Sequence, residues 1–153
     1  MSRPPVPEPE PRPYLIPEPG KLMGRGHSAG DFLQAWDWDV LDEQVGYLKV
    51  LAKLPDHVRN NRQQLFGGFT GTYIDLIGLH TVRSGPERTD PTMAHRYLAT
   101  TNMRIDYFEP IMGPTFVIES RVTRSRGRDR FVVSEFFQDE TIAVHALTQW
   151  KVL

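Results

Sequence analysis

The sequence predicts an α+β domain in which four or five antiparallel strands wrap one long, mostly apolar helix. Three observations point there. The run from Gly68 to Val82 carries Phe69, Tyr73, Ile74, Leu76, Ile77 and Leu79 with one charged residue, Asp75. From Tyr97 onward the apolar period changes to two, the repeat of half-buried strands. The chain's 153 residues make one domain, with a single two-layer core.

Residues 1–25 hold Pro4, Pro5, Pro7, Pro9, Pro11, Pro13, Pro17 and Pro19, eight of the thirteen prolines. Alternating Pro and Glu buries no core and favours extended polyproline II, so this stretch is expected to be a disordered tail. Residues 26–153 are then one domain. Residues 28–43 suggest an additional helix capped by Ser28 or Asp31, with Phe32, Trp36 and Leu41 on one side. Gly46–Leu54 is a first strand ended by Pro55, and a polar stretch leads from there to Phe66-Gly67-Gly68. Ser84–Pro91 is a loop by composition.

The later strands follow by alternation. Thr101, Met103, Ile105 and Tyr107 share one side, and Phe116, Ile118, Ser120 and Val122 alternate with Val117, Glu119 and Arg121. Ser125–Asp129 is a turn, Arg130–Phe137 a strand, and Gln138-Asp139-Glu140 a second turn. Ile142, Val144, Ala146, Thr148, Trp150 and Val152 then share a face of the last strand.

Eighteen basic against nineteen acidic residues give no field that draws nucleic acid or an anionic membrane. The absence of cysteine excludes disulfides, thiolate metal sites and cysteine nucleophiles. No apolar run is long enough to span a bilayer, and prolines stand where a signal core would need leucines, so a cytoplasmic location is expected. The histidines lack metal-ligand spacing, and no Gly-x-Ser-x-Gly elbow or phosphate loop is present.

The chemistry concentrates in the segment from Phe66 to Asp75. Adjacent glycines let the backbone approach a ligand closely, and a helix opening on bare N–H groups stabilises developing negative charge. Asp75 sits about two turns into a helix otherwise nearly free of charge. Burial there should desolvate the carboxylate and raise its pKa, making a better base near neutral pH.

With Gly67-Gly68, Asp75, the strand and turn Met103–Gly113, and Gly127-Arg128 in this order, the chain resembles the hotdog-fold thioesterases of the PaaI-like group over about residues 45–153. That resemblance implies an acyl-CoA substrate, no cofactor, and a homodimer or a homotetramer built as a dimer of dimers. It places the polarising backbone N–H on Gly67, the helix acid on Asp75, a positioning amide on Asn60 beside Asn61, and a water-holding hydroxyl on Thr100 beside Thr101. The family's His position is Phe66 here. Arg126, Arg128 and Arg130 surround one turn, and guanidinium forks suit coenzyme A phosphates, although such arginines also suit a solvated edge. The expected activity is thioester hydrolysis. The alternatives are a weak or inert acyl-thioester-binding protein and, less favoured for want of a histidine in the Gly67 segment, a hotdog hydratase or dehydratase.

Overall fold

The computed structural model describes residues 4–5, 16–93 and 95–153, so most of the proline-rich tail lies outside the described residues. A short helix α1 (Ser28–Phe32) and a single 3-10 turn (Ala35–Asp37) precede strands β1 (Asp39–Gln44) and β2 (Tyr47–Lys53). Helix α2 (Gly67–Val82) follows, then β3 (Leu98–Tyr107), β4 (Thr115–Arg126), β5 (Asp129–Gln138) and β6 (Thr141–Val152). All neighbours pair antiparallel in one six-stranded sheet, ordered β1-β2-β4-β5-β6-β3.

The sheet wraps α2, as the alternation of the strands against an apolar helix requires. Tyr73, Ile74 and Ile77 of the helix are fully buried against Val50, Ile118, Phe136 and Ala146. Each large apolar side chain so buried contributes about 1.5–3 kcal/mol. Tyr73 is the centre of an aromatic cluster. Its ring stacks on Trp38 at 5.4 Å and meets Phe116 and Phe136 at 5.3 and 6.0 Å. Its hydroxyl donates to the Lys53 carbonyl at 2.7 Å, and burial pushes its pKa up. On the same inner face Ser120 and Ser134 satisfy one another across β4 and β5 at 2.8 Å.

Two readings of the N-terminal third need correction. Residues 28–43 do not form one helix. Gln34 adopts a left-handed conformation (φ 55°) that ends helical geometry, and residues 39–44 pair with β2 as an edge strand. The cap is His27, whose ring accepts from the Gly30 N–H at 3.0 Å, and not Ser28 or Asp31. Trp38, not Trp36, is the fully buried tryptophan of this segment.

A tail ending at residue 25 also runs too far. Leu22 and Met23 are buried in the core, Leu22 N–H donates to the Trp38 carbonyl, and Val40 N–H donates to the Gly20 carbonyl. Lys21 bridges Asp37 and Asp39 at 3.0 and 2.7 Å. Apolar side chains inside a proline-rich stretch still gain by burial when a neighbouring strand offers backbone partners.

The sheet has two edges. Residues 20–22 cover part of β1, whereas β3 presents Thr100, Thr101, Asn102, Arg104 and Tyr107 as exposed residues along its free side. The turns agree with their residues: Gly127 takes φ 56°, and Asp139 and Glu140 take φ 50° and 68°, the left-handed pair a tight hairpin demands.

Candidate active site

Helix α2 begins without a side-chain cap. Phe66 is its N-cap residue, and the Phe66 side chain supplies no capping hydrogen bond. The Phe69 N–H is returned to the Phe66 carbonyl at 2.9 Å, while no partner among the described residues takes the N–H of Gly67 or Gly68. Both glycines are exposed, so these two donors and the positive end of the helix face outward. Tyr107 fixes this end by donating its hydroxyl to the Gly67 carbonyl at 2.8 Å. Phe66, half-exposed where the family has His, packs its ring on Phe69 at 5.5 Å.

Asn60 organises the loop that delivers Gly67. Its side-chain oxygen accepts from the N–H groups of Arg62 and Gln64 at 2.9 and 3.1 Å, and its own N–H donates to the Gln64 carbonyl at 2.7 Å. Phe66 N–H then donates to Val58 and Leu65 N–H to Ile111. The Asn60 oxygen is therefore committed to the loop, which leaves its amide N–H groups as the part able to meet a ligand. Asn61 is exposed and makes no bond of this kind among the described residues.

Asp75 and Thr100 come together. The Thr100 hydroxyl donates to a carboxylate oxygen of Asp75 at 2.5 Å. The strand achieves this with a β-bulge between Thr100 and Asn102, which sends the Thr101 hydroxyl to the Gln149 carbonyl at 3.1 Å instead. A bulge of this kind re-aims one side chain without breaking the ladder. Both residues line a cavity of about 840 Å³ between α2 and β3, walled by Gly71, Leu76, Leu79, Met103 and Trp150.

The expectation that the chain buries Asp75 is not met. Asp75 is exposed, because the sheet covers one side of α2 and the helix stripe through Gly68, Gly71, Thr72 and Asp75 faces the open β3 edge. Desolvation of the carboxylate is thus not supplied by its own chain. Of the large apolar side chains nearby, Tyr73 and Ile77 belong to the core, Met103 lines the Asp75 cavity, and Phe108 lines a separate cavity of about 360 Å³.

Gly67 and Asp75 are eight residues apart on one helix. At about 1.5 Å per residue this separates them by roughly 12 Å along the axis. Arg126 and Arg128 sit exposed at the tip of the β4–β5 hairpin and line neither the Asp75 cavity nor the helix start. Among the described residues no helix is long and apolar enough to cross a membrane, and no group of three His, Asp or Glu side chains is placed to hold a metal.

Sequence reasoning missed a buried polar cluster beside this site. Arg88, 4% exposed in a loop, makes a bidentate pair with Glu43 of β1 at 2.7 and 3.1 Å and also donates to the Leu22 carbonyl. His80 of α2 lies 3.5 Å from it and is held well below its ordinary pKa, first by burial and then by the Arg88 charge. No local motif could have shown this, since the paired residues lie 45 positions apart.

The thioesterase superfamily model matches residues 63–144, a span that begins before the glycine pair and ends in β6. No match was found among curated protein sequences. Among solved structures, a phenylacetic acid degradation-related protein of Ralstonia eutropha is 18% identical, with a TM-score of 0.68 over 84% of this chain and 92% of its own. A Streptococcus mutans protein bound to acetyl CoA is 19% identical, with a TM-score of 0.62 over 76% and 89%. Thioesterase superfamily member 2 of Mus musculus is 17% identical, with a TM-score of 0.63 over 81% and 87%. At these identities the structural likeness speaks to the fold.

Proposed function

The chain belongs to the thioesterase superfamily, and from that premise we propose that it hydrolyses an acyl-CoA to a carboxylate and free coenzyme A, with Asp75 as general base or nucleophile. The observation that carries this reading is the Thr100–Asp75 hydrogen bond in an open cavity, on a helix whose first N–H groups are unpartnered. Acting as base, Asp75 takes a proton from a water held by Thr100, and the water oxygen attacks the thioester carbon. The carbonyl electrons move to an oxygen held by the Gly67 N–H, then return as the carbon–sulfur bond breaks. The proton on Asp75 passes to the departing sulfur. Acting as nucleophile, Asp75 first forms an acyl anhydride that water opens.

Donor and base must both lie within about 3 Å of the reacting atoms. Gly67 and Asp75 of one chain, some 12 Å apart, cannot meet that condition together. We therefore assign the site to a pair of chains, with Asn60 and Gly67 of one facing Asp75 and Thr100 of the other across the unpaired β3 edge. Such pairing also removes the exposed strand edge and desolvates Asp75. Arg126 and Arg128, free at the hairpin tip, are assigned to the coenzyme A phosphates.

Asp75→Asn is the test. The amide is nearly isosteric and cannot take the proton, so kcat on an acyl-CoA panel should fall about 100- to 10,000-fold while the variant keeps its fold. Wild-type kcat in Asp75→Asn on every thioester cleaved would remove the assignment. A wild type that binds acyl-CoA and cleaves none would make this an acyl-thioester-binding protein, consistent with Phe66 in the family's His position.

A further inference from the structure

Tyr107 ends strand β3 and stands beside the start of α2. The strand holds it there firmly. Tyr107 pairs with Val144 of β6, and the Phe108 and Glu109 N–H groups both donate to the Ala143 carbonyl, at 2.8 and 3.2 Å. A Cβ placed on Gly67 would lie 3.8 Å from Tyr107 Cε1, so the ring flanks that glycine in ordinary contact. The hydroxyl donates to the Gly67 carbonyl at 2.8 Å, a bond that joins residues 40 positions apart. Tyr107 is 56% exposed, so it is not there to fill the core.

The covalent order of the backbone gives this hydrogen bond a chemical consequence. The Gly67 carbonyl and the Gly68 N–H belong to one conjugated peptide group. A donor on its oxygen draws electrons from the nitrogen and makes the N–H a stronger donor in turn. The preceding peptide carries the Phe66 carbonyl and the Gly67 N–H, and its oxygen accepts from the Phe69 N–H at 2.9 Å. Each unpartnered N–H at the helix start therefore belongs to a peptide whose oxygen is engaged, the first by the helix and the second by a side chain brought from β3. N–H groups of successive residues in a first helical turn point the same way, so an oxygen held by one lies in reach of the next. Gly68 also lines the groove along α2.

We infer that Tyr107 is a positioning residue for the thioester oxygen. Through the Gly67 carbonyl it fixes and polarises the Gly67–Gly68 peptide, so that the Gly68 N–H joins the Gly67 N–H in holding that oxygen. This rests on the proposed function, which puts the oxygen at Gly67. As the attacking oxygen bonds to the carbonyl carbon, the electron pair displaced onto the thioester oxygen is shared by two fixed donors. It returns when the carbon–sulfur bond breaks, and both N–H groups are left as they were.

Tyr107→Phe removes the hydroxyl alone, and Tyr107→Leu removes the ring as well. Both are compared with wild type in single turnovers of the acyl-CoA that wild type cleaves best. The rate constant should fall about 3- to 10-fold in both, the worth of one neutral hydrogen bond, with the half-saturating concentration unchanged. Circular dichroism melts and sedimentation mass should stay those of wild type. A spectroscopic arm reads the donor directly. The same acyl-CoA, isotope-labelled at the carbonyl carbon, is bound to Asp75→Asn, and adding Tyr107→Phe should move its infrared carbonyl band to higher frequency. A wild-type rate in Tyr107→Phe or an unmoved band overturns the inference. So does a loss seen only in Tyr107→Leu, which would mean packing by the ring, or a changed mass, which would mean a role in assembly. Should wild type cleave no thioester, the hydrolytic reading fails by itself. The carbonyl band of the tightest-bound acyl-CoA, on wild type against Tyr107→Phe, then decides this inference alone; if none binds, it falls with the proposed function.

Discussion

Replacing Gly78 by alanine sets two effects in α2 against each other. Alanine is the better helix former by about 1 kcal/mol in a helix interior. Its methyl group, however, would stand 2.6 Å from Trp150 Cζ2 and 3.0 Å from Cε2 and Nε1. The indole is 3% exposed and donates its N–H to the Thr148 hydroxyl at 2.9 Å, so it cannot yield without losing packing and a buried hydrogen bond. Overpacking costs about 1–3 kcal/mol and the strained bond about 1 more, for a net loss of about 1–3 kcal/mol. At about 2–4 °C per kcal/mol for a chain of this size, Tm should fall by about 2–12 °C. Gly71→Ala is the internal control on the same helix. Its methyl meets Met103 Sδ at 3.5 Å and Ile105 Cδ1 at 3.8 Å, ordinary contact distances. There the helical gain stands alone, and Tm should rise by about 2–4 °C. Both are read by circular dichroism melts at one protein concentration, since association would otherwise shift the midpoint. A Gly78→Ala Tm at or above wild type, or equal losses at both positions, would refute the close-packing argument.

Removing residues 1–18 should leave Tm close to wild type, while removing residues 1–25 also takes away buried Leu22 and Met23 and should cost about 3–6 kcal/mol, measured by urea unfolding; equal stability of the two truncations would show that this segment does not hold the core. His80 should make stability fall with acidification. Its folded pKa lies well below the ordinary value of about 6.5, chiefly through burial and then through the charges of Arg88 and Arg83 and the neighbouring His27 and His95. The unfolded chain therefore binds the extra proton first, and stability present above about pH 6.5 is lost below it by up to about 1.4 kcal/mol per pH unit. His80→Gln should remove that slope in urea titrations between about pH 5 and pH 7.5, and a wild-type-minus-variant difference independent of pH would contradict it.

What the sequence disclosed and what it hid divide along physical lines. Helix α2 and strands β3 to β6 were legible because each lays a continuous apolar face against the other, and burial forces that periodicity into the residues. Strand β1 was not. Asp39, Asp42 and Glu43 leave too few apolar residues in six to show alternation, and the ladder to β2, a long-range contact, decides its conformation. Leu22 and Met23 vanished into a composition dominated by proline and glutamate, although buried side chains count singly and not by average. The site shows the same limit more sharply. Residue type and helix position singled out Gly67 and Asp75, but the pairing of Asp75 with Thr100 came only through a family likeness, because a bulge at Thr101 decides which of two adjacent threonines turns inward. Nor could the sequence show that Asp75 would stand exposed. An acid amid apolar residues reads as buried only if the whole circumference of its helix is covered, and one sheet covers one side. The uncovered side carries Gly68, Gly71, Thr72 and Asp75, small or polar residues that a chain keeping this stripe for its own core would have no reason to use. A stripe of that composition leaves room for a ligand beside the helix, and so the residue that looks misplaced for one chain is consistent with a site made by two.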